Sequence, residues 1–146
     1  MTDARLEPLS HETCLRLLRE GTVGRIAFVS DGDPLILPVN YRLVEPSSGP
    51  IVAVRTRPGT AIDAAPSSVA FEIDSIDAVH HQGWSVLVQG RLLHATPTSP
   101  EFRELYDPKS WVADVESWLL IDPWAMSGRE LHGAEGVWPF HPGGYL

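Results

Sequence analysis

Apolar residues follow a helical period near the start of the chain. Cys14, Leu17 and Leu18 recur at the three- and four-residue spacing that places side chains on one face of a helix. Ser10 is a suitable N-cap for that helix, and Gly21 is a suitable residue to end it. The pattern predicts one amphipathic helix between Ser10 and Gly21, with Cys14 buried as a small hydrophobic side chain.

A strand-like pattern replaces the helical one after Gly21. The first two apolar runs flank Asp31-Gly32-Asp33-Pro34, which predicts a tight hairpin. Pro38 lies inside the second run and cannot donate a ladder hydrogen bond, so it predicts a sheet edge or a bulge. Five strands with short links favour an antiparallel sheet or barrel over a parallel α/β fold. The predicted strands are 22–30, 35–44, 51–56, 68–74 and 84–95.

The last third of the chain returns to a helical pattern and then to a strand. Ser99 as N-cap and Pro100 in the first turn predict a helix over 99–107. The tail, residues 133–146, is rich in Gly, Pro and aromatic residues, and is interpreted either as an arm laid over a neighbouring subunit or as a loose end. Between them we predict a second short helix over 108–118, a sixth strand over 118–122 and a short extension at 127–131.

Composition narrows the class of protein. With 146 residues, of which 43% are hydrophobic and 21% charged, the chain is expected to form one globular domain over 1–146, with its core in about 9–132. The formal net charge of -8 opposes nucleic-acid binding. No secretory signal or membrane-length apolar run is present, so we expect a cytoplasmic protein without a membrane partner. The six histidines show no ligand spacing, and no metal site is predicted.

The turn after the third strand carries the strongest candidate chemistry. Arg55 and Arg57 provide planar sets of N–H donors, and Thr56 and Thr60 provide hydroxyl groups. A glycine within the turn lets a ligand approach the backbone closely. These residue types suit a bound phosphate. The alternative is a solvated loop in which one arginine pairs with Asp63.

Two further stretches suggest a ligand with a ring system. Asn40 and Tyr41 follow Val39 inside an apolar run, so alternation turns one of the two polar side chains towards the core, where it needs a hydrogen-bond partner. Trp84 and Ser85 open a strand directly after a glycine, where an indole can pack on a ring or simply join the core. No nucleophile elbow, dinucleotide fingerprint or phosphate-binding P-loop is present, and no catalytic residue is assigned.

The order of these motifs resembles that of the pyridoxamine 5'-phosphate oxidase-like flavin-binding proteins, most closely the branch of nitroimidazole-resistance proteins. The resemblance implies a mainly β fold: a six-stranded antiparallel split β-barrel of the Greek-key, FMN-binding type, with an N-terminal helix and a helical insert before the last strand. It also implies a homodimer that holds FMN non-covalently between its subunits. The matching stretches are CLRLLREGTVGRIAFV, PLILPVNYRLV, VAVRTRPGTAIDAA, VAFEIDSID and GWSVLVQGRL.

The same resemblance assigns roles to individual residues. The phosphate would be bound by the turn after the third strand, the isoalloxazine edge would run along the second strand, and residues from the other subunit would close the site. Ala61 departs from the family pattern, which commonly has a lysine there, and loss of that cation is expected to weaken FMN binding about tenfold or more. The implied cofactor-binding residues are Arg55, Thr56 and Thr60 with Arg57 nearby, then Val39, Asn40 and Tyr41, then Trp84 and Ser85.

The function implied is that of an FMN-dependent oxidoreductase, which passes hydride from NAD(P)H to a small organic acceptor. One alternative on the same fold is a deazaflavin-dependent reductase, for which Arg57 and Arg91 would widen the basic groove. Another is a non-catalytic dimer that binds a flavin or haem, or no cofactor. A true pyridoxamine phosphate oxidase is less favoured, because its substrate's phosphate would require a second cationic cluster.

Overall fold

The computed structural model describes residues 4–64 and 67–133. This part of the chain is dominated by antiparallel strands, with two α-helices and one 3₁₀ turn. The elements are β1 (Arg5–Pro8), α1 (His11–Glu20), β2 (Val23–Ser30), β3 (Asp33–Val44), β4 (Ile51–Thr56), the 3₁₀ turn Ile62–Ala64, β5 (Val69–Asp77), β6 (Gln82–Ala95), α2 (Pro100–Tyr106) and β7 (Ser117–His132).

Six of the strands form a ring. β7 pairs with β4, and the pairing continues through β3, β2, β5 and β6. β6 then pairs with β7 along almost its whole length, from Gly83↔Leu131 to Ala95↔Trp118, which returns the ring to its start. All of these pairings are antiparallel. The predicted fold class, an antiparallel split β-barrel with an N-terminal helix, is confirmed.

The first helix agrees with its sequence pattern. The Ser10 side chain accepts a hydrogen bond from the Thr13 backbone N–H at 3.1 Å, and Gly21 ends the helix. Cys14 and Leu18 are almost fully buried against the barrel. Burial raises the pKa of the Cys14 thiol, so at neutral pH the side chain is a packed apolar group and not a thiolate.

The β2–β3 hairpin closes on two residues with positive φ, Asp31 at 51° and Gly32 at 83°. This left-handed pair is the turn that matches the natural twist of two paired strands. β3 pairs with β2 over 33–40, but it pairs with β4 only from Tyr41 to Val44. Within residues 4–64 and 67–133, Pro38 therefore lies where β3 has a neighbouring strand on one side only, which agrees with the edge predicted from this proline.

Three parts of the prediction are wrong. Residues 107–116 form an irregular connection and not the short helix predicted over 108–118. Lys109 and Asp114 have φ values of 54° and 62°, which a right-handed helix cannot contain. The predicted strand and its extension are one continuous strand, β7. β1 was not predicted because its four residues are all exposed and show no alternation.

In the rest of the C-terminal third, α2 agrees with the prediction, and most of the tail lies outside the described residues. α2 begins as expected, with the Ser99 hydroxyl accepting from the Phe102 N–H at 3.1 Å and Pro100 in the first turn. The arm or loose end predicted over 133–146 falls, apart from Gly133, outside the described residues. No helix in the described part of the chain is long and apolar enough to cross a membrane.

The barrel interior is filled by aliphatic side chains around one large aromatic ring. Phe71 is fully buried and meets the Tyr41 ring edge to face, at 4.9 Å between centroids. Gly24 lies directly over this ring, since a Cβ at that position would approach Phe71 Cζ to 2.3 Å. The fully buried aliphatic residues of the core include Leu18, Ile26, Val52, Val86, Val88, Leu119 and Ile121.

A carboxylate pair on β5 predicts a pH-dependent stability. Burial and the neighbouring Asp74 raise the pKa of Glu72 to about 7, while Arg25, 3.5 Å away, opposes the shift. A carboxyl whose pKa is raised by folding stabilises the folded protein fully below its unfolded pKa of 4.5, and this contribution is lost as the pH rises through 7. Since Glu72 is about one-third exposed, solvent screening limits the effect to about 1 kcal/mol.

We expect Glu72→Gln to be more stable than the wild type at pH 8 and nearly equal to it at pH 4.5. Denaturant unfolding at a series of pH values would measure the difference. The exposed Glu116→Gln variant, which makes the same change of side chain elsewhere, is the matched control. Parallel pH profiles for Glu72→Gln and the wild type would contradict the assignment.

Candidate functional site

The candidate site lies where β3 and β4 separate. The two strands pair as far as Tyr41↔Val54, and beyond this pair β4 continues beside β7 through Arg55↔Trp118. Asn40 and Arg55 therefore face a gap in the barrel wall. Residues 107–116, which join α2 to β7, lie across this gap. We call these residues the α2–β7 connection and the gap beside it the cleft.

The connection is attached to each side of the cleft by a polar contact. On the β3 side, Asn40 Oδ1 accepts a hydrogen bond from the Trp111 backbone N–H at 2.9 Å. On the β4 side, Arg57 Nε donates to the Ala113 carbonyl at 3.4 Å. Asn40 and Arg57, which the resemblance assigns to a cofactor, are thus brought together through the connection.

Arg55 is the central side chain of the cleft. Its guanidinium lies over the Trp118 ring, 4.4 Å from the centroid, and Nη1 is 3.4 Å from Asp107 Oδ1. The side chain is only 20% exposed. Its Nε–H is buried and has no acceptor among the described residues. A buried charged donor without an acceptor is costly, so this N–H indicates a place for a ligand oxygen.

The turn after β4 is held in shape by its own hydrogen bonds. The Thr60 hydroxyl donates to the Arg57 carbonyl at 2.9 Å, so the 3.0 Å contact between the two threonine hydroxyls has Thr56 as donor. The Gly59 N–H donates to Asp63 Oδ2 at 2.8 Å, and Gly59 has a φ of 79° that favours glycine. The threonines and arginines of the predicted phosphate turn are therefore brought together on one short segment.

Asp63 pairs with a histidine, whereas the solvated-loop alternative had it pair with an arginine of the turn. Its Oδ1 lies 3.2 Å from His94 Nε2, and among the described residues neither arginine of the turn pairs with it. Hydrogen bonds from Ser117, from the Gly59 N–H and from His94 lower the pKa of Asp63. An ionised Asp63 thus fixes the turn from below and leaves both arginines to the cleft.

Of the three predicted residues on β3, only Asn40 presents its side-chain polar group to the cleft. Alternation predicts that one polar group faces the core, and this group is Tyr41, which is 2% exposed. Its hydroxyl donates to the Leu18 carbonyl at 2.7 Å, and burial raises its pKa far above the ordinary value. Val39 packs against the core cluster. The Tyr41 side chain is therefore a core element and does not form part of the cleft surface.

Removal of the Tyr41 hydroxyl tests this placement. Tyr41→Phe leaves the Leu18 carbonyl without its donor in a buried position, so we expect a loss of about 1–2 kcal/mol in the free energy of unfolding, measured with urea. Affinity for any ligand of the cleft should remain within twofold of the wild type. A variant of unchanged stability but weakened ligand binding would instead assign the hydroxyl to the site.

Trp84 and Ser85 lie far from Arg55 in the same chain. Arg55 is opposite Trp118, whereas Trp84 is opposite Glu130, 12 positions further along β7. At about 3.3 Å per residue this is roughly 40 Å of strand, reduced by the curvature of the barrel. Trp84 packs against the core with one part of its side chain but is only half-buried, and Ser85 faces the other side of its strand. One chain alone does not bring the two predicted halves of the site together.

Three residues of the cleft were missed from the sequence: Asp107, Lys109 and Trp118. They are separated from Arg55 by more than 50 positions, and no local pattern links them to it. The helix predicted over 108–118 was wrong, and this error hid the fact that the segment is irregular and supplies polar groups to the cleft. Within the described residues no group of three metal-ligating side chains comes together.

Comparisons with known proteins identify the family. Residues 10–130 match the family model described as pyridoxamine 5'-phosphate oxidase, so the chain belongs to this family, as the sequence motifs predict. A curated relative, an uncharacterized protein of Mycobacterium tuberculosis, is 30% identical over 82% of this chain and 82% of its own.

Two solved structures share the fold. The FAD binding protein of Mycobacterium smegmatis superposes with a TM-score of 0.64 at 26% identity, covering 86% of this chain and 98% of its own. A structure from Bacteroides thetaiotaomicron assigned to 5-nitroimidazole antibiotic resistance has a TM-score of 0.67 at 9% identity, covering 88% and 89%. The second likeness concerns the fold alone.

Proposed function

We propose that this protein binds a flavin nucleotide in the cleft and acts as an oxidoreductase. The observation that carries the proposal is the buried Arg55 Nε–H, which lacks an acceptor among the described residues and lies beside the turn that carries the second guanidinium, Arg57. A flavin phosphate has several acceptor oxygens that suit these donors. FAD binding by the Mycobacterium smegmatis relative supports a flavin as the ligand.

Each group of residues has a distinct role in this proposal. Arg55, Thr56, Arg57 and Thr60 bind the phosphate, and Asn40 lies at the point where the cleft continues along β3. Trp118, under the guanidinium, keeps Arg55 extended towards the ligand. A bound flavin supplies hydride-acceptor chemistry, for which NAD(P)H is the proposed donor and a small organic molecule the acceptor. The protein contributes binding and orientation.

A second copy of the chain completes the proposed site. Trp84 and Ser85 cannot reach the Arg55 of their own chain, so in a homodimer they would close the site of the partner. The outer surface of the β2–β3 hairpin supports such an assembly, because it exposes a group of large aliphatic side chains that a monomer leaves in water. These residues, with their exposed fractions, are Val29 at 59%, Leu35 at 37%, Ile36 at 66% and Leu37 at 37%.

Titration of the protein with FMN, FAD, a deazaflavin cofactor and riboflavin tests the binding proposal. Quenching of flavin fluorescence at fixed ionic strength gives each affinity. We expect FMN, the predicted cofactor, or FAD to bind at least about tenfold more tightly than riboflavin, because only the phosphorylated flavins reach the turn. Equal affinity for riboflavin, or no flavin binding, would overturn the proposal. Tightest binding of the deazaflavin would select the alternative reductase.

Oxidation of NADH and NADPH with a panel of small acceptors tests the oxidoreductase proposal. Turnover that depends on the bound flavin is the expected result. A protein that binds flavin but oxidises neither nicotinamide would support the non-catalytic binding alternative.

A further inference from the structure

Positive charge gathers at the cleft in a chain that is otherwise acidic. The formal net charge is -8, yet Arg55 from β4 and Lys109 from the α2–β7 connection pair with the same carboxylate, Asp107, and Arg57 from the turn contacts the connection at the Ala113 carbonyl. Lys109 is the only lysine of the sequence. Arg42 lies nearby, but its guanidinium is engaged by the Glu104 carbonyl at 2.7 Å. Arg55, Arg57 and Lys109 therefore place three positive charges beside the cleft.

Asp107 is shared between two of these cations. Its Oδ1 is 3.4 Å from Arg55 Nη1, and its Oδ2 is 3.4 Å from Lys109 Nζ. Within residues 4–64 and 67–133, no other carboxylate forms an ion pair with Arg55, Arg57 or Lys109. Partial burial acts to raise the pKa of Asp107, but the Lys109 N–H, its ammonium and Arg55 together lower it. Asp107 thus neutralises only part of the positive charge of the three cations, and the charge that remains suits a dianionic ligand.

We propose that Lys109 supplies the cation that the turn lacks at Ala61, so that a ligand phosphate is held between the turn and the α2–β7 connection. This inference rests on the proposed flavin-binding function. The Lys109 ammonium is already one carboxylate away from Arg55, and its side chain is 74% exposed and free to reorient. Asp107 pairs with both Arg55 and Lys109, and a bound phosphate would replace it as their partner.

The backbone at Lys109 allows a clean test by substitution. Its φ of 54° lies in the left-handed region that favours glycine. Lys109→Gly therefore removes the ammonium while the folded protein keeps or gains stability. A loss of binding in this variant cannot be attributed to unfolding, and a urea unfolding curve confirms this point.

The quantity to measure is the ratio of the riboflavin Kd to the FMN Kd, because it isolates the contribution of the phosphate. Lys109→Gly is expected to lower this ratio about tenfold, the value of one charge-assisted hydrogen bond. Arg16→Gln, on α1 and paired with Glu20, changes the net charge equally and should leave the ratio unchanged. The double variant Ala61→Lys/Lys109→Gly should regain the ratio. An unaltered ratio in Lys109→Gly would overturn the proposal.

A second readout separates this inference from the flavin proposal. Reductive methylation with ¹³C-formaldehyde gives a single lysine methyl signal in NMR, since the sequence has one lysine, and the N-terminal amine serves as an internal control. Inorganic pyrophosphate should shift the lysine signal saturably, and Arg55→Gln should abolish the shift. If the wild type binds no flavin but pyrophosphate still shifts the lysine signal, the flavin proposal fails and the proposed phosphate site between the turn and the α2–β7 connection stands. If pyrophosphate does not shift the lysine signal, the proposed phosphate site is refuted.

Discussion

Equimolar Arg55→Gln and Trp84→Leu chains, refolded together, are expected to bind FMN, whereas each variant alone does not. In the proposed homodimer every site takes Arg55 from one chain and Trp84 from the other. A mixed dimer then has one site with both residues intact and one with neither. Random association should restore roughly one quarter of the wild-type binding capacity, because half of the dimers are mixed and each holds one intact site of two.

The register of β7 is the physical reason for this expectation. It separates Arg55 and Trp84 by almost the full length of the strand within one chain. Leucine at position 84 keeps an apolar side chain against the core, so Trp84→Leu should remain folded, and circular dichroism of each variant is the control. FMN binding by either variant alone at wild-type strength, or no recovery from two folded variants, would exclude a site shared in this way.

Phe71→Ala is expected to produce the largest loss of stability of any single substitution considered. The ring is completely buried, packs edge to face on Tyr41 and lies under Gly24, so its removal leaves a cavity in the middle of the barrel. Such deletions cost about 3–5 kcal/mol, a large share of the 5–15 kcal/mol that stabilises a typical domain. Urea unfolding at a fixed protein concentration would show a lower midpoint. Val79→Ala, 80% exposed, should cost under about 0.5 kcal/mol.

Gly24→Ala provides a matched test of the same packing. In the wild type the added methyl group meets Phe71 Cζ at 2.3 Å and should be destabilising. In the Phe71→Ala background that obstacle is gone, so the two substitutions together should cost clearly less than the sum of the two alone. Additive costs would mean that the Glu72 carbonyl, 3.0 Å from the added methyl group, and not the ring, determines the effect.

The fold could be predicted well from the sequence because its strands and first helix are set by local patterns. The spacing of Cys14, Leu17 and Leu18, the Asp31-Gly32 turn and the Ser99-Pro100 start all determined structure within a few residues of themselves. β1 was missed because pairing with β7, and not a burial pattern of its own, makes it a strand.

The candidate site was predictable only in part, because local patterns identify neighbours in sequence but not contacts between distant segments. The arginines and threonines of the turn are neighbours in sequence, and the family resemblance selected them. Asp107 and Trp118 contact Arg55, and Lys109 reaches Asp107, only because β4 pairs with β7 and the preceding connection crosses the gap. Alternation predicted that either Asn40 or Tyr41 faces the core. Only the structure showed that this residue is Tyr41, whose hydroxyl is hydrogen-bonded to the first helix.

Among the described residues, β3 is paired on one side only over 33–40, and this stretch bears on how chains could associate. The Tyr41 N–H points to the β2 side, where it donates to Thr22, so by alternation the nitrogens of Pro34 and Pro38 point to the open side. Neither proline has a hydrogen to donate there. A strand from another molecule would find too few donors to extend the sheet, so chains that meet at this apolar surface can associate through side chains without growing into fibrils.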